Sequence, residues 1–474
     1  MKTFAINTLG CKVNQYESQQ LRELLEGFGL VDARNPREKP DLVIVNTCCV
    51  THTASAKSRQ CIRKSQKHSP AAAIVVAGCL PSVESSELRG LGANIHLVRN
   101  RDLLAATLSN IIDSVPQQEN TPQTQLWQPC QDTYIKAKIA SKIKCKNELG
   151  QTPQLPPLRS FKGHTRAFLK VQDGCDGYCT YCIIPKARPV LFSKNAENAV
   201  LEARSLVEAG HKEIVVTGVF LGAYGLSSVR RRGWARPEND ALAELLEKLA
   251  EIPGLARIRL SSLEPGDVTE RLIDAFCRYP NIMPHLHLSL QSGSDAILKR
   301  MCRQYRSDGF RKTVEAIKRR LDRPAITTDI IVGFPGETDG DFEETVALAR
   351  EVGFAKMHVF AFSAREGTAA ARLQDTVNNE VMKERSAILR ELDKKLGREF
   401  REQFIGEEAA VLVEDSAGEP RGRSERYFFV FLKKSGKSVK KNELLRVRLT
   451  GNCGQGAVGE AVSVVQQQAA GGVG

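Results

Sequence analysis

Between residues 3 and 113, short apolar runs alternate with longer segments whose apolar positions recur every three to four residues. The runs "TFAIN", "DLVIVN" and "AIVVAG" predict strands, and "NQYESQQLRELLEGFG", "ASAKSRQCIRKSQKH" and "NRDLLAATLSNIID" predict helices. Asn14 is placed to cap the first helix, and Gly29 lies near its end. Such alternation argues for an open, mostly parallel sheet. The pattern fades over 114–160, which is rich in Pro and Gln and reads as a linker or insertion. It returns over 165–400, where "RAFLKVQ", "EIVVTGV", "RIRLSSL", "HLHLSL", "TTDIIVG" and "MHVFAF" predict strands separated by helical segments. Six βα units joined by right-handed crossovers predict a partial barrel, with its chemistry at the carboxyl ends of the strands. Past residue 404 only short strands and turns remain, as in a small all-β barrel.

The expected architecture is therefore α/β. It comprises an N-terminal open parallel domain (1–113), an insertion (114–160), a central partial (β/α) barrel (161–400), a C-terminal small all-β barrel (404–465) and a disordered tail (466–474). A chain of 474 residues is too long for one hydrophobic core, which agrees with several domains. No apolar run reaches the ~18 residues of a membrane span. The N-terminal "MKTFAINTLGCK" lacks the apolar core of a secretion signal. Thirteen cysteines without such a signal point to the reducing cytoplasm, where thiols serve as metal ligands or catalysts.

The net charge is +13, which favours a polyanionic partner, nucleic acid above all. Residues 421–448 hold ten Lys or Arg against two Glu. Arg421, Arg423, Arg426, Lys433, Lys434, Lys440 and Lys441 are candidate RNA contacts, interleaved with Tyr427, Phe428, Phe429 and Phe431. The same aromatics suit the core of a small barrel, and both roles are compatible.

The sharpest chemical signal is "DGCDGYCTYC", directly after the first strand of the central region. Cys175, Cys179 and Cys182 form a C-x3-C-x2-C array, one ligand short of the usual four. Three thiolates can hold three irons of a four-iron cube and leave the fourth open to a chelating amine and carboxylate. S-adenosylmethionine carries that pair, and an electron from the cluster can cleave its carbon–sulfur bond to a 5′-deoxyadenosyl radical. A zinc site completed by His164 or a distant cysteine is the alternative. Tyr181 is the aromatic preceding the last cysteine. A second triplet, Cys11, Cys48 and Cys79, follows three predicted strands in the N-terminal region. Parallel strands bring their carboxyl ends to one edge, so these thiols can hold a second cluster. The alternative is that they are small buried hydrophobes.

The segments "TLGCKVNQYES", "VNTCCV", "AGCLP", "GCDGYCTYCIIP", "HLHLSLQSGSD" and "DIIVGFPGET" together resemble the radical S-adenosylmethionine methylthiotransferases. "TLGCKVNQYES" is most similar to the MtaB-like branch, which acts on threonylcarbamoyl-adenosine beside the anticodon of tRNA. The resemblance implies two [4Fe-4S] clusters, on Cys11, Cys48 and Cys79 and on Cys175, Cys179 and Cys182, and a C-terminal RNA-binding TRAM domain. It implies that one S-adenosylmethionine methylates a sulfur on the N-terminal cluster. A second yields the radical that takes hydrogen from C2 of adenine, where the methylthio group then joins. Tyr181, Gly218 and Gln291 are expected at the cofactor, and a plain turn is the other reading of Gly218. Glu264 is a cofactor contact or a helix-cap carboxylate, and Arg365 is a candidate anion contact. The four arginines of "SSVRRRGWAR" are a solvated loop or a tRNA contact. The expected partners are tRNA and an electron donor such as flavodoxin or ferredoxin. The sequence departs from its relatives at "PKARPVLFSKN", where they carry a longer basic run, and at "LSLQSG" for "LPLQSG". Competing functions are the same chemistry on isopentenyl-adenosine or on a ribosomal-protein aspartate, and a non-catalytic iron–sulfur RNA-binding redox sensor.

Overall fold

The computed structural model describes residues 1–33, 38–83, 88, 92–113, 155–230, 239–433 and 439–465. The expected insertion up to residue 154 and the tail from 466 lie outside the described residues, as does Lys434. The chain forms two compact units, Met1–Leu158 and Arg159–Gly474.

In the first unit five parallel strands, β1 (Thr3–Thr8), β2 (Val31–Asp32), β3 (Leu42–Thr47), β4 (Ala73–Gly78) and β5 (Ile95–Leu97), make one sheet in the order β2-β1-β3-β4-β5. Every residue of β3 is buried, as its unbroken apolar run requires of a central parallel strand. Phe4, Leu21, Leu25, Ile44, Val75 and Leu108 pack strands against helices. The order reverses between β1 and β3, and doubly wound sheets bind ligands at the carboxyl ends beside such a reversal. Cys11 and Cys48 follow those two strands.

One expectation changes here. The first helix begins at Lys12 with Cys11 at the cap position, so Asn14 lies within the first turn. Its amide instead donates to the carbonyls of Leu9 and Thr47, at 2.7 and 2.9 Å. A tertiary demand, two buried carbonyls at the strand ends, takes the side chain that local pattern assigns to capping.

The second unit holds the expected six barrel strands. They are β6 (Ala167–Lys170), β9 (Glu213–Thr217), β10 (Arg257–Leu260), β11 (His285–His287), β12 (Ala325–Val332) and β13 (Lys356–Ala361). Parallel pairing gives β10-β9-β6 and β11-β12-β13, and single bridges such as Leu263 to Leu288 join the two halves. A two-stranded antiparallel ribbon, β7 (Gln172–Asp173) with β8 (Phe192–Ser193), brackets the cysteine loop. The C-terminal region is a closed barrel of β14 (Glu408–Asp415), β15 (Arg421–Ser424), β16 (Phe429–Leu432), β17 (Leu444–Cys453) and β18 (Gly456–Val464), in the order β14-β15-β16-β18-β17. Its core takes in Phe400 from the preceding helix and Phe404 from the turn after it.

The β15–β16 hairpin meets the amino end of the six-stranded barrel. Glu213, Arg257 and Arg259, all buried, stand at the starts of β9 and β10. Arg257 donates to the carbonyls of Arg423 and Ala410, at 3.0 and 2.6 Å, and Arg259 to those of Glu425 and Ser424, at 2.8 and 2.7 Å. Glu213 accepts from Arg259 at 2.8 Å. Tyr427, at φ +73°, stacks on His285 with ring centroids 4.4 Å apart. The small barrel thus stoppers the larger one at the end opposite the cysteines. Among the described residues, no helix is long and apolar enough to cross a membrane.

Candidate functional site

Cys175, Cys179 and Cys182 lie on the loop after β7, at the carboxyl end of the barrel. Gly174, at φ +77°, turns the chain where an added Cβ would sit 1.8 Å from the Val190 carbonyl oxygen, so only glycine fits. The loop is held from several sides. Asp176 accepts from Ser228 Oγ at 2.6 Å and from the Val229 amide at 2.8 Å, and Arg230 covers Tyr178 at 4.2 Å. Thr180 donates to Met301 and Arg300 carbonyls and accepts from the Ala370 amide. The remaining arginines of "SSVRRRGWAR" lie outside the described residues.

The loop's electrostatics suit a cationic guest. Burial, with the Cys179 thiol close by, pushes the Cys175 thiol up to about 11. Burial and then the neighbouring Cys179 push Cys182 to about 12. Protons therefore occupy these sulfurs at neutral pH unless a metal replaces them. The Gly177 amide donates to Cys175 Sγ at 3.3 Å, and Arg303 Nη1 donates to Cys179 Sγ at 3.2 Å. Such donors stabilise thiolate sulfur and tune a bound cluster. Three thiols on one loop, two of them with N–H donors, are the donor set that an iron–sulfur cube takes.

Arg303 itself was not evident from the sequence. It is buried, pairs with buried Glu264 at 2.8 Å and donates to Tyr305 Oη at 3.0 Å. In the sequence it is one of three evenly spaced arginines, Arg300, Arg303 and Arg306, with nothing to single it out. Of its two expected roles Glu264 takes that of the cap, opening a capping box with Asp267, and its carboxylate pairs with Arg303. Tyr181 packs edge-on to Phe334 at 6.5 Å, and its hydroxyl accepts from Arg303 at 3.4 Å. Gly218 packs on Gln172, where a Cβ would lie 2.8 Å from the Gln172 Cβ. Gln172 in turn binds the Asp173 and Gly174 carbonyls and the Phe220 amide. Gln291 follows β11 in the left-handed region, at φ +66°, and its amide bonds the Asp329 carbonyl. Arg365 is buried, and its carbonyl accepts from Thr368.

In the first unit Cys11, Cys48 and Cys79 follow the adjacent strands β1, β3 and β4. At Gly10, φ +104°, a Cβ would lie 2.8 Å from the Cys48 Cβ and 3.1 Å from its Sγ, so glycine brings this turn against Cys48. Arg101 Nη2 donates to Cys79 Sγ at 3.3 Å and approaches Glu17 at 3.8 Å. Each triplet thus has one arginine on one sulfur, with a glutamate behind it. This donor set fits a second cube by the same criterion.

Four candidate RNA residues are exposed: Arg421, Lys433, Lys440 and Lys441. Arg423 and Arg426 are engaged elsewhere, with side chains 17% and 13% exposed. Arg423 covers Tyr427 and Phe429 at 4.3 and 3.9 Å, while Arg426 bonds the Arg323 and Asp322 carbonyls and covers Phe404. Half of the expected aromatic surface is likewise structural: Phe428 packs on Phe400 and Phe404, and Tyr427 on His285.

The Radical SAM superfamily model matches residues 169–349, and that of the uncharacterized protein family UPF0004 matches residues 3–99. The threonylcarbamoyladenosine tRNA methylthiotransferase MtaB of Chlamydia pneumoniae is 36% identical over 460 residues, covering 97% of this chain and 98% of that one. MtaB of Thermotoga maritima is 37% identical over 415 residues, 87% of each. The radical S-adenosylmethionine methyltransferase TsrM from Kitasatospora setae, with cobalamin and a [4Fe-4S] cluster bound, superposes with a TM-score of 0.52. It covers 88% of this chain and 78% of that one at 16% identity, a likeness of fold alone. Similarity to the MtaB proteins runs through both cysteine triplets and on into the C-terminal barrel, and the chain belongs to the radical S-adenosylmethionine tRNA methylthiotransferase family.

Proposed function

We propose that this protein adds a methylthio group to C2 of N6-threonylcarbamoyladenosine in tRNA, in the cytoplasm. The observation that carries the reading is the 36% identity to MtaB over nearly the whole chain, with both cysteine triplets at strand carboxyl ends. Cys11, Cys48 and Cys79 would hold one [4Fe-4S] cluster, and Cys175, Cys179 and Cys182 the other. When bound, the clusters supply the methylthio sulfur and the electron that turns S-adenosylmethionine into the hydrogen-abstracting radical. The protein's part is to place and protect. The Gly177 amide and Arg303 hold the thiolates of the radical site, and Arg101 serves Cys79. Tyr181 and Gln291 would contact the cofactor, and Gly218 lets Gln172 approach closely and hold the cysteine loop. The electron donor would be a flavodoxin or ferredoxin.

Mass spectrometry of tRNA nucleosides tests the substrate. Cells lacking this protein should lose 2-methylthio-threonylcarbamoyladenosine and accumulate the unthiolated nucleoside. Loss of the isopentenyl derivative instead would transfer the activity to that base, and an unchanged nucleoside pool would point to a protein substrate.

The RNA surface is assigned to Arg421, Lys433, Lys440 and Lys441, beside the half-buried rings of Phe429 and Phe431. Lys433 rests against Glu460 at 3.0 Å, an exposed pair that a phosphate can displace. Alanine at all four positions should weaken tRNA binding and flatten its salt dependence by about 0.7–0.9 in log–log slope per lost phosphate contact. An unchanged slope moves the contact elsewhere.

A further inference from the structure

The wall of the radical barrel carries a third set of ligating side chains, apart from the cysteines. His287 of β11, Asp329 of β12 and His358 of β13 each offer one ligand atom, and these atoms lie within 4.8 Å of one another. Strand register sets Asp329 directly opposite His358, and His287 opposite Thr327, two residues before Asp329 on the same face. Alternation puts them on one face, because Leu286, Thr328, Ile330 and Met357 between them are buried. That face is the inner one, since His285, two residues before His287, meets Tyr427 of the stopper.

We propose that His287, Asp329 and His358 form a binding site for a divalent first-row transition-metal ion inside the barrel. Two imidazoles and one carboxylate suit Fe²⁺, Mn²⁺, Co²⁺ or Zn²⁺ and discriminate against Mg²⁺ and Ca²⁺, which take oxygen ligands. The supporting contacts are those of a metal-bound histidine. His287 Nδ1 lies 3.0 Å from Thr327 Oγ1, which is also 3.2 Å from His285 Nε2. With Nδ1–H donated to the hydroxyl, His287 turns the Nε2 lone pair toward Asp329 Oδ2, 3.2 Å away. In that tautomer an ion seated between Nε2 and Oδ2 would be shared by both. When no ion is bound, the hydroxyl donates to Nδ1 instead, and a proton on Nε2 bridges to Asp329. Thr327 therefore serves both the empty and the loaded site. Lys356, on the same face, is paired with Asp393 and does not compete for the site. His358 is exposed, so part of the coordination sphere opens to the lumen.

The test uses the full-length protein with its clusters reconstituted and oxidised, a state silent in electron paramagnetic resonance. Mn²⁺ is titrated in and the free aquo-ion signal is followed. One saturable site per chain is expected, with Zn²⁺ releasing the bound Mn²⁺ as its higher affinity requires. Asp329→Asn and His358→Gln should each weaken binding at least tenfold while the iron content stays at about eight per chain. His358 is exposed, so its variant is not expected to disturb folding. Absence of saturable binding, or binding indifferent to both variants, overturns the proposal. If Mn²⁺ fails to bind and the variants raise KM for tRNA, the three side chains touch substrate directly and the metal assignment falls.

Discussion

Replacing Cys179 by alanine is expected to abolish 5′-deoxyadenosine formation and lower the iron content from about eight to about four per chain. Two thiolates cannot hold the cube against solvent, whereas Cys11, Cys48 and Cys79 belong to the other unit and keep theirs. The loss should be specific, because the loop does not depend on that sulfur for its shape. Thr180 is fixed by Met301, Arg300 and Ala370, and Asp176 by Ser228 and Val229. Anaerobic reconstitution, iron analysis and an assay with dithionite check it, with the melting curve as control. Continued 5′-deoxyadenosine formation would remove Cys179 from the ligand set, and no iron beyond about four in the parent protein would remove the second cluster.

Glu213→Ala should strongly destabilise the second unit. Burial opposes the Glu213 charge, but the guanidiniums of Arg259, Arg257 and Arg166 outweigh it and hold the carboxyl below the usual range. Removing the carboxylate leaves two buried guanidiniums, Arg257 and Arg259, without their shared counter-ion. One-sided deletions of this kind cost about 3–5 kcal/mol. The sign with pH follows. A carboxyl whose folded pKa is depressed stabilises above its unfolded pKa, and that contribution is lost as pH falls through the folded value. The parent should therefore lose stability in acid more steeply than Glu213→Ala. Denaturant titration of both proteins at neutral and acidic pH measures the difference. Equal stability at neutral pH would mean that backbone carbonyls alone satisfy the arginines.

These two predictions mark different depths of legibility. Cys175, Cys179 and Cys182 were readable because their spacing and their place after a strand are local facts. Cys11, Cys48 and Cys79 were readable because apolar runs located three strands, and parallel pairing brings strand ends to one edge. Glu213 was silent: it opens a strand, and nothing nearby in the chain announces that Arg257 and Arg259 will share it. Arg423 and Arg426 looked like surface charge, yet their partners are Tyr427 and Phe429 for the one and Asp322, Arg323 and Phe404 for the other. Arg303 reaches Cys179 across 124 positions of chain.

By itself, then, the sequence determined the succession of elements, the partial barrel and the two sets of three thiols, because periodicity and spacing act over a few residues. Only the tertiary structure decided which charges are buried and paired, which arginines face the sulfurs, and that the ligand atoms of His287, Asp329 and His358 come together on one face of the barrel. Those outcomes depend on strand register and on the hairpin that closes the barrel's amino end, and both arise from contacts between segments far apart in the chain.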